Sequence, residues 1–314
     1  MKISILGCGW LGFPLGKHLV EKGHSVKGST TSESKIDLLS EIGIEPFLLK
    51  FSPQIEMSSS LLSVSPQTTM SDFSSLLSVE IQTTTFLDIV NFLTSEVLVI
   101  CIPPRASKYG DDFHVQQIES LLEYLPSSTI KSIIYTSSTS VYPDLNREMT
   151  ESDEVVENHS LIRVENLLKN LSQNVTILRC GGLMGGERIP AKYFAGKTIN
   201  TGKIPVNYVH QEDVIRIITM ILEQGYWNET FNVVSPEHPI REEIYLKNCQ
   251  EFGFEKPIFE EPSEEIPFKI ISPQKLIHQT GYEFIYENPL KFKYLSDVTR
   301  VYQRHNHQKL HQNP

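Results

Sequence analysis

The fold is decided by the stretch Met1-Lys-Ile-Ser-Ile-Leu-Gly-Cys-Gly-Trp-Leu-Gly12. A short apolar strand runs directly into the spacing Gly7-x-Gly9-x-x-Gly12, and a helical pattern follows at once. Gly7 allows a tight turn, Gly9 lets the backbone approach a pyrophosphate, and Gly12 permits close packing of helix on sheet. The N–H groups and the positive dipole end of the new helix then attract phosphates. A glycine-rich turn of another α/β protein would have the same spacing. We expect a dinucleotide-binding loop made of Gly7, Gly9, Trp10, Leu11 and Gly12.

The bulk composition is that of a soluble globular protein. The 314 residues suffice for one large or two modest domains, and the net charge of −10 argues against nucleic-acid binding. The four cysteines are far apart, with neither metal-ligand spacing nor the density of a disulfide scaffold, so a reducing cytoplasm fits best. No apolar stretch is long enough to cross a bilayer. We expect a cytoplasmic protein without metal, nucleic-acid or membrane partners, as a monomer or homodimer.

Apolar strands alternate with amphipathic helices along the first two thirds of the chain. This order predicts an α/β fold with a doubly wound parallel sheet (Rossmann-type) covered on both faces. Strands are predicted at 3–6, 24–30, 46–51, 97–102, 132–136, 175–179 and 230–234. Helices are predicted at 11–22, 34–42, 114–124, 161–171, 210–222, 240–252 and 274–279. Residues 180–186 read as a flexible loop, and Asp213 as a helix-start residue.

The domain prediction follows from this alternation. Residues 1–180 form the dinucleotide-binding domain, 206–235 return to it, and 181–314 supply mainly a smaller substrate domain. One segment, 52–86, interrupts the pattern, because residues 59–69 reappear as 74–84 with nine of eleven identical. Its serine- and threonine-rich composition predicts an exposed insertion.

The end of the second strand bears on the choice of cofactor. An acidic residue about 20 positions past the glycines would hold the ribose 2′-hydroxyl of NAD, but Thr30 stands there. Hydroxyl groups at Thr30, Thr31 and Ser32, with a cation at Lys35, suit a 2′-phosphate and favour NADP over NAD. The same residues also suit a helix start with Thr31 or Ser32 as N-cap, and both interpretations can hold together.

Hydroxyl side chains cluster where a second apolar strand ends. Residues 133–142 are Ile-Ile-Tyr-Thr-Ser-Ser-Thr-Ser-Val-Tyr. A buried strand is therefore followed by serines and threonines at the carboxyl edge of the predicted sheet. Ligands bind at that edge in open α/β folds. A serine-rich turn without function would look the same.

These motifs together resemble the extended or atypical short-chain dehydrogenase/reductase superfamily, and within it the NAD-dependent epimerase/dehydratase family. The resemblance rests on the glycine spacing, on Ser137-Ser138-x-x-Val141-Tyr142, and on Arg179-Cys-Gly-Gly-Leu183. Segments 97–105, 207–214, 231–239 and 275–282 extend it to nearly the whole chain outside the insertion. It implies that Ser138 hydrogen-bonds the substrate oxygen. It also implies that Pro103, Gly181, Gly182 and Leu183 border the nicotinamide.

The chain departs from the family at the general acid/base. The family uses a tyrosine four residues before a lysine, which lowers the tyrosine pKa so that a proton can move with the hydride. Aligning on Val164-Glu165 puts Glu157 and Leu161 at those two positions. The nearest plausible pair, His159 and Arg163, lies two residues out of phase, and an exposed helix face explains this pair better.

Three further residues are candidate substrate contacts: Arg105, Thr139 and Tyr142. Arg105 follows Pro103-Pro104 and could bind a carboxylate or phosphate, or simply be a loop arginine. The primary functional expectation is an NAD(P)-dependent oxidoreductase that transfers hydride to or from a carbonyl or alcohol of a small-molecule substrate. The alternatives are an NADP-binding sensor or scaffold without turnover and, third, a nucleotide-sugar epimerase.

Overall fold

The computed structural model of the protein describes residues 1–51 and 86–295. The repeated segments at 59–69 and 74–84, and so nearly all of the predicted insertion, lie outside the described residues. The chain divides into two compact units. The first comprises Met1–Tyr135 and Asn158–Val175, and the second comprises Thr136–Glu157 and Thr176–Pro314. The predicted boundary near residue 180 concerned function: residues before it bind the cofactor, and those after it mainly bind substrate. That assignment stays a prediction.

The central element is a seven-stranded parallel sheet with the strand order β11-β7-β5-β4-β1-β2-β3. Its strands are β1 (Lys2–Leu6), β2 (Ser25–Thr30), β3 (Glu45–Leu48), β4 (Val97–Ile100), β5 (Ser132–Ser138), β7 (Asn174–Cys180) and β11 (Thr230–Val233). Within the described residues, three parallel pairs of strands lie outside this sheet. They join β8 (Gly182–Met184) to β10 (Tyr208–His210), β9 (Thr198–Ile199) to β12 (Ile258–Phe259), and β6 (Arg147–Met149) to β13 (Lys269–Ile271).

Nine α-helices occur in the described part of the chain. They are α1 (Gly12–Glu21), α2 (Ile36–Glu41), α3 (Phe86–Phe92), α4 (Ala106–Tyr109), α5 (Asp112–Leu122), α6 (Ser160–Lys169), α7 (Gln211–Gln224), α8 (Arg241–Phe252) and α9 (Gln274–Thr280). The predicted doubly wound α/β class is confirmed. Of the helices in residues 1–51 and 86–295, none has the length and apolar character that crossing a membrane requires.

The strand order reverses direction between β1 and β4, within the first unit. From β1 the chain proceeds outward to β2 and β3, and then returns to the other side of β1 through β4. Both strands are apolar and buried because helices cover both faces of a parallel sheet, and Ile5 and Val99 are 0% exposed. The carboxyl ends of strands at such a reversal form the crevice where open α/β sheets bind ligands.

Two local predictions were wrong. Residues 180–186 are not simply a flexible loop, since they contain β8, which pairs with β10. The backbones can meet there because a Cβ at Gly181 would stand 2.4 Å from the Asn207 carbonyl oxygen. The predicted fourth strand, 97–102, ends at Ile100; the Cys101 N–H still donates to the Leu6 carbonyl of β1, and Ile102 lies beside the glycine turn.

Candidate functional site

The glycine turn of the first unit has the three properties that its spacing predicted. Gly7 has a φ of +98°, which side-chain-bearing residues rarely adopt. Gly12 packs so closely that a Cβ there would stand 2.3 Å from the Gly7 carbonyl oxygen. A Cβ at Gly9 would meet no atom within 4 Å, and this residue is exposed. Of its three glycines, the turn is therefore closed at Gly7 and Gly12 and open at Gly9, three residues before α1.

The turn is fastened to the end of β2. The Gly7 N–H donates to Ser29 Oγ at 2.8 Å, and the Cys8 N–H donates to the Ser29 carbonyl oxygen at 2.7 Å. The Cys8 thiol lies over Gly28, where a Cβ would stand 2.6 Å from the sulfur. Burial raises the pKa of this thiol to about 12, so Cys8 is a neutral packing group at physiological pH.

The residues after β2 form a short hydroxyl-lined turn. Thr30 Oγ1 accepts from the Ser32 N–H at 3.1 Å, and the Ser32 and Ser34 hydroxyls are 2.9 Å apart. Ser32 is at the N-cap position of a 3-10 turn, but its side chain makes no capping hydrogen bond there. Thr31 and Lys35 are exposed. Lys35 is close enough for its charge to oppose, in part, the raised pKa of Cys8. A cation thus lies near the glycine turn.

A segment with unusual backbone leaves the sheet directly beside the glycine turn. A Cβ at Gly7 would contact Ile102 Cγ2 at 2.7 Å, and Pro103 follows as an exposed residue. Arg105 is exposed and left-handed, with a φ of 52°, and α4 begins at the next residue. The first unit therefore brings the glycine loop and the segment after β4 together at one edge.

Ser138 ends β5 and belongs to the second unit. Its side chain is partly exposed, and Oγ accepts from the Ser140 N–H at 3.1 Å, which starts a 3-10 turn over Thr139–Val141. The hydroxyl hydrogen of Ser138 is thus not used by this contact. Thr139 is 6% exposed.

Tyr142 lies in a buried polar network of the second unit. It is 1% exposed, and its hydroxyl donates to Asn232 Oδ1 and accepts from Arg179 Nη1, both at 2.8 Å. The Arg179 guanidinium also lies 5.0 Å from the centre of the ring. These contacts give Tyr142 a structural role. Its predicted contact with substrate stays a prediction.

Two residues that connect the second-unit motifs were missed from the sequence. The Asn207 carbonyl accepts from the Gly182 N–H at 2.7 Å, and its side-chain amide donates to the Lys269 carbonyl at 2.9 Å. The Lys269 ammonium donates to the Tyr142 carbonyl at 2.6 Å and pairs with Asp144 at 3.0 Å. Through Asn207 and Lys269, hydrogen bonds thus link Gly182 to Tyr142, four residues after Ser138. Asn207 is the first residue of segment 207–214, which contributed to the family resemblance, whereas no local sequence signal marks Lys269.

The predicted acid/base pair occupies α6 in the first unit. His159 is the N-cap, and its Nδ1 accepts from the Leu161 N–H at 3.2 Å. Arg163 is exposed and forms an ion pair with Asp112 at the start of α5. Leu161, one of the two aligned positions, is 3% exposed. These contacts explain His159 and Arg163 as a helix cap and a surface ion pair, so their catalytic role stays a prediction.

Asp213 lies in the first turn of α7, as the sequence indicated, but it does not cap the helix. It is 0% exposed and accepts from Tyr282 Oη and from the Ile285 N–H, both at 2.8 Å, and from the Tyr286 N–H at 3.2 Å. The N-cap of α7 is instead His210, whose Nδ1 accepts from the Glu212 N–H at 3.2 Å. The aspartate fastens a distant segment, which no local pattern reveals.

A full-length relative identifies the family. The chain is 32% identical over 294 residues to Protein YeeZ of Escherichia coli strain K12, covering 92% of this chain and 97% of that protein. It belongs to the YeeZ family. The same identity and coverage hold for Protein YeeZ of Escherichia coli O157:H7. No protein-family model matches the sequence.

Solved structures confirm the fold that the resemblance implied. A short-chain dehydrogenase/reductase superfamily protein from Agrobacterium tumefaciens, with bound NAD, is 13% identical, with a TM-score of 0.68 and full coverage of both chains. UDP-glucose 4-epimerase from Thermotoga maritima, with UDP-glucose, is 17% identical with a TM-score of 0.65, covering 98% of this chain and 99% of that one. The YeeZ-family chain therefore has the extended short-chain dehydrogenase/reductase fold.

The glycine turn of this YeeZ-family protein fits a dinucleotide pyrophosphate. Gly9, the glycine of the three with open space beside it, lies three residues before α1, at the positive end of that helix. Lys35 adds a positive charge nearby. The residues present therefore suit an anionic ligand that approaches the backbone closely.

Proposed function

We propose that this protein is an NAD(P)-dependent oxidoreductase of the epimerase/dehydratase-like group, acting on a carbonyl or alcohol of a small molecule. The observation that carries the proposal is the glycine turn, closed at Gly7 and Gly12 and open at Gly9. The NAD-bound structure of a protein with the same fold supports it. We further propose a cytoplasmic location and a monomer or homodimer.

Each residue has a defined task in this proposal. The loop from Gly7 to Gly12 binds the pyrophosphate, while Pro103 and Gly181–Leu183 border the nicotinamide. Ser138 donates its hydroxyl hydrogen to the substrate oxygen, with Arg105 and Thr139 as further substrate contacts. When bound, the nicotinamide ring supplies or accepts the hydride. The chain itself binds, orients and exchanges the proton.

NADP is the proposed preference. The residue at the end of β2 is Thr30, which has no carboxylate to repel a 2′-phosphate. Exposed hydroxyls and the Lys35 ammonium follow within five residues. Lys35→Gln should weaken NADPH binding about 5- to 20-fold and leave NADH binding within twofold, because only NADPH carries the extra phosphate. Equal losses for both dinucleotides would contradict the assignment of Lys35.

Cofactor binding can be measured through Trp10, which lies between Gly9 and Gly12. The chain has two tryptophans, so Trp227→Phe leaves Trp10 as the only indole. In that background, titration with NADPH or NADH should quench Trp10 fluorescence by energy transfer to the dihydronicotinamide. If neither dinucleotide binds below about 1 mM, the proposed function is wrong.

Gly9→Ala tests the turn without disturbing the fold. Gly9 does not need positive φ, and its Cβ would meet no protein atom within 4 Å. We expect an unchanged thermal midpoint together with a loss of NADPH affinity of at least 10-fold, because the methyl group occupies the space that the pyrophosphate requires. Wild-type affinity in Gly9→Ala would place the dinucleotide elsewhere.

One observation favours the sensor alternative. The tyrosine and lysine of the family are replaced on and before α6 by Glu157 and the buried Leu161. A sensor would bind NADPH without consuming it across a panel of aldehydes and ketones. The epimerase alternative needs the same missing acid/base, and its support is the shared fold of the UDP-glucose 4-epimerase.

A further inference from the structure

Tyr109, at the end of α4, has two cationic neighbours. Lys108 Nζ lies 4.9 Å from the centre of the Tyr109 ring, and the Tyr109 N–H donates to the Arg105 carbonyl at 3.1 Å. The ring stacks on Phe113, with centroids 4.4 Å apart and an interplanar angle of 28°. This stack fixes one face of the ring, while the side chain remains 45% exposed. The hydroxyl is thus held on a supported ring and is accessible to a ligand.

The position of Tyr109 follows from the chain path of the first unit. β4 lies next to β1 and parallel to it, so the two strands end at the same edge of the sheet. Ile102 contacts the glycine turn, and Tyr109 follows it seven positions later in the chain. The left-handed backbone at Arg105 begins the turn of helix that carries Lys108 and Tyr109. Tyr109 therefore projects from the segment that borders the proposed cofactor loop.

A second contact places this segment beside the helix where the family's acid/base is expected. Asp112, three residues after Tyr109, forms an ion pair with Arg163 of α6. The start of α5 and the exposed face of α6 are therefore neighbours within the first unit. The segment that carries Tyr109 therefore ends next to α6.

Electrostatics favour ionisation of this tyrosine. The hydrogen bond and charge of Lys108 lower the pKa of Tyr109, and Arg105 lowers it further by its charge and a hydrogen bond. A lysine that lowers the pKa of a tyrosine is the chemical device that the absent tyrosine–lysine pair would provide. Burial raises the pKa of Tyr142, Tyr282 and Tyr286, so those hydroxyls are shifted in the opposite direction.

We propose that Tyr109 is the general acid and base of this protein, with Lys108 and Arg105 as positioning residues that stabilise its phenolate. The assignment rests on the proposed function. In alcohol oxidation the Tyr109 phenolate accepts the substrate hydroxyl proton and becomes a phenol. The C–H bond breaks, its electron pair leaves as hydride to an oxidised nicotinamide dinucleotide, and a C=O bond forms. In reduction the phenol returns the proton to the oxygen.

The first test measures the ionisation of Tyr109 without substrate. Absorbance at 295 nm is titrated in the full-length protein and in Tyr109→Phe, and the difference between the curves belongs to Tyr109. We expect its midpoint below 10, and an upward shift in Lys108→Met, which keeps the aliphatic stem. A midpoint at or above 10, or no shift in Lys108→Met, would overturn the proposal.

The second test measures turnover of an aldehyde and ketone panel with NADPH. Tyr109→Phe keeps the ring stack, so NADPH affinity should stay within twofold while kcat/KM falls about 100- to 10,000-fold. Tyr193→Phe is the matched control, since it removes the hydroxyl of another exposed tyrosine, and should turn over like the wild type. Wild-type turnover by Tyr109→Phe contradicts the Tyr109 assignment alone. Failure of both dinucleotides to bind contradicts the proposed function instead.

Discussion

His114 should make the stability of the protein depend on pH between 7 and 4. It lies on α5, is 1% exposed, and its Nε2 is 2.8 Å from the hydroxyl of Tyr135 on β5. Burial lowers the pKa of His114 from 6.5 to about 4, with a smaller opposing effect from Gln117. The folded protein therefore keeps this imidazole neutral at a pH where the unfolded chain protonates it.

The size of the effect follows from the pKa difference. Each pKa unit corresponds to about 1.4 kcal/mol, so the shift from 6.5 to about 4 amounts to roughly 3 kcal/mol. Because the folded-state pKa is the lower one, this stability is fully present above pH 6.5. It is lost as the pH falls towards 4. Within this window the unfolded state binds more protons than the folded state, by up to one.

The assay is denaturant unfolding of wild type and His114→Gln at several pH values from 7.5 to 4. Glutamine retains a polar group for Tyr135 but does not titrate. We expect the wild type to lose about 3 kcal/mol more than the variant over this range. An NMR titration of the His114 ring should give the same low midpoint. Parallel pH profiles, or a ring that titrates near 6.5, would refute the reasoning.

Three further variants test the packing that surrounds the site. Gly12→Ala should lower the free energy of unfolding by about 1–3 kcal/mol, because its Cβ would stand 2.3 Å from a backbone oxygen; an unchanged denaturation midpoint would contradict this. Asp213→Ala should cost roughly 3 kcal/mol or more in denaturant unfolding, since it orphans the N–H groups at 285–286, and Asp213→Asn should cost less. Tyr142→Phe should cost about 1–3 kcal/mol by thermal unfolding, because Asn232 loses its buried partner.

The local patterns of the chain predicted most of the sheet. Continuous apolar runs such as Val97–Ile100 are buried on both faces, so hydrophobicity alone located them. Strand ends were less predictable. β5 continues to Ser138, beyond the predicted end at 136, although its pairing with β4 ends at Tyr135. The predicted third strand, 46–51, is Glu45–Leu48.

In the candidate site, too, the features set by local backbone geometry were predictable and those set by distant contacts were not. The three glycines were predictable because a tight turn and a close approach place demands on single residues. The side-chain contacts of Asn207, Lys269 and Asp213 were not, because the partners of these side chains lie 60 or more residues away in the chain. No periodicity or spacing encodes such pairs.

By itself, the sequence determined the class of the fold and the position of the glycine turn, because backbone geometry and burial act on short segments. Only the tertiary structure decided which side chains surround that loop. It assigned His159 to a helix cap and Arg163 to an ion pair with Asp112. It also placed the Lys108 ammonium over the ring of Tyr109, which stacks on Phe113. Proton-transfer chemistry depends on such distances and local charges, which exist only after the chain has folded.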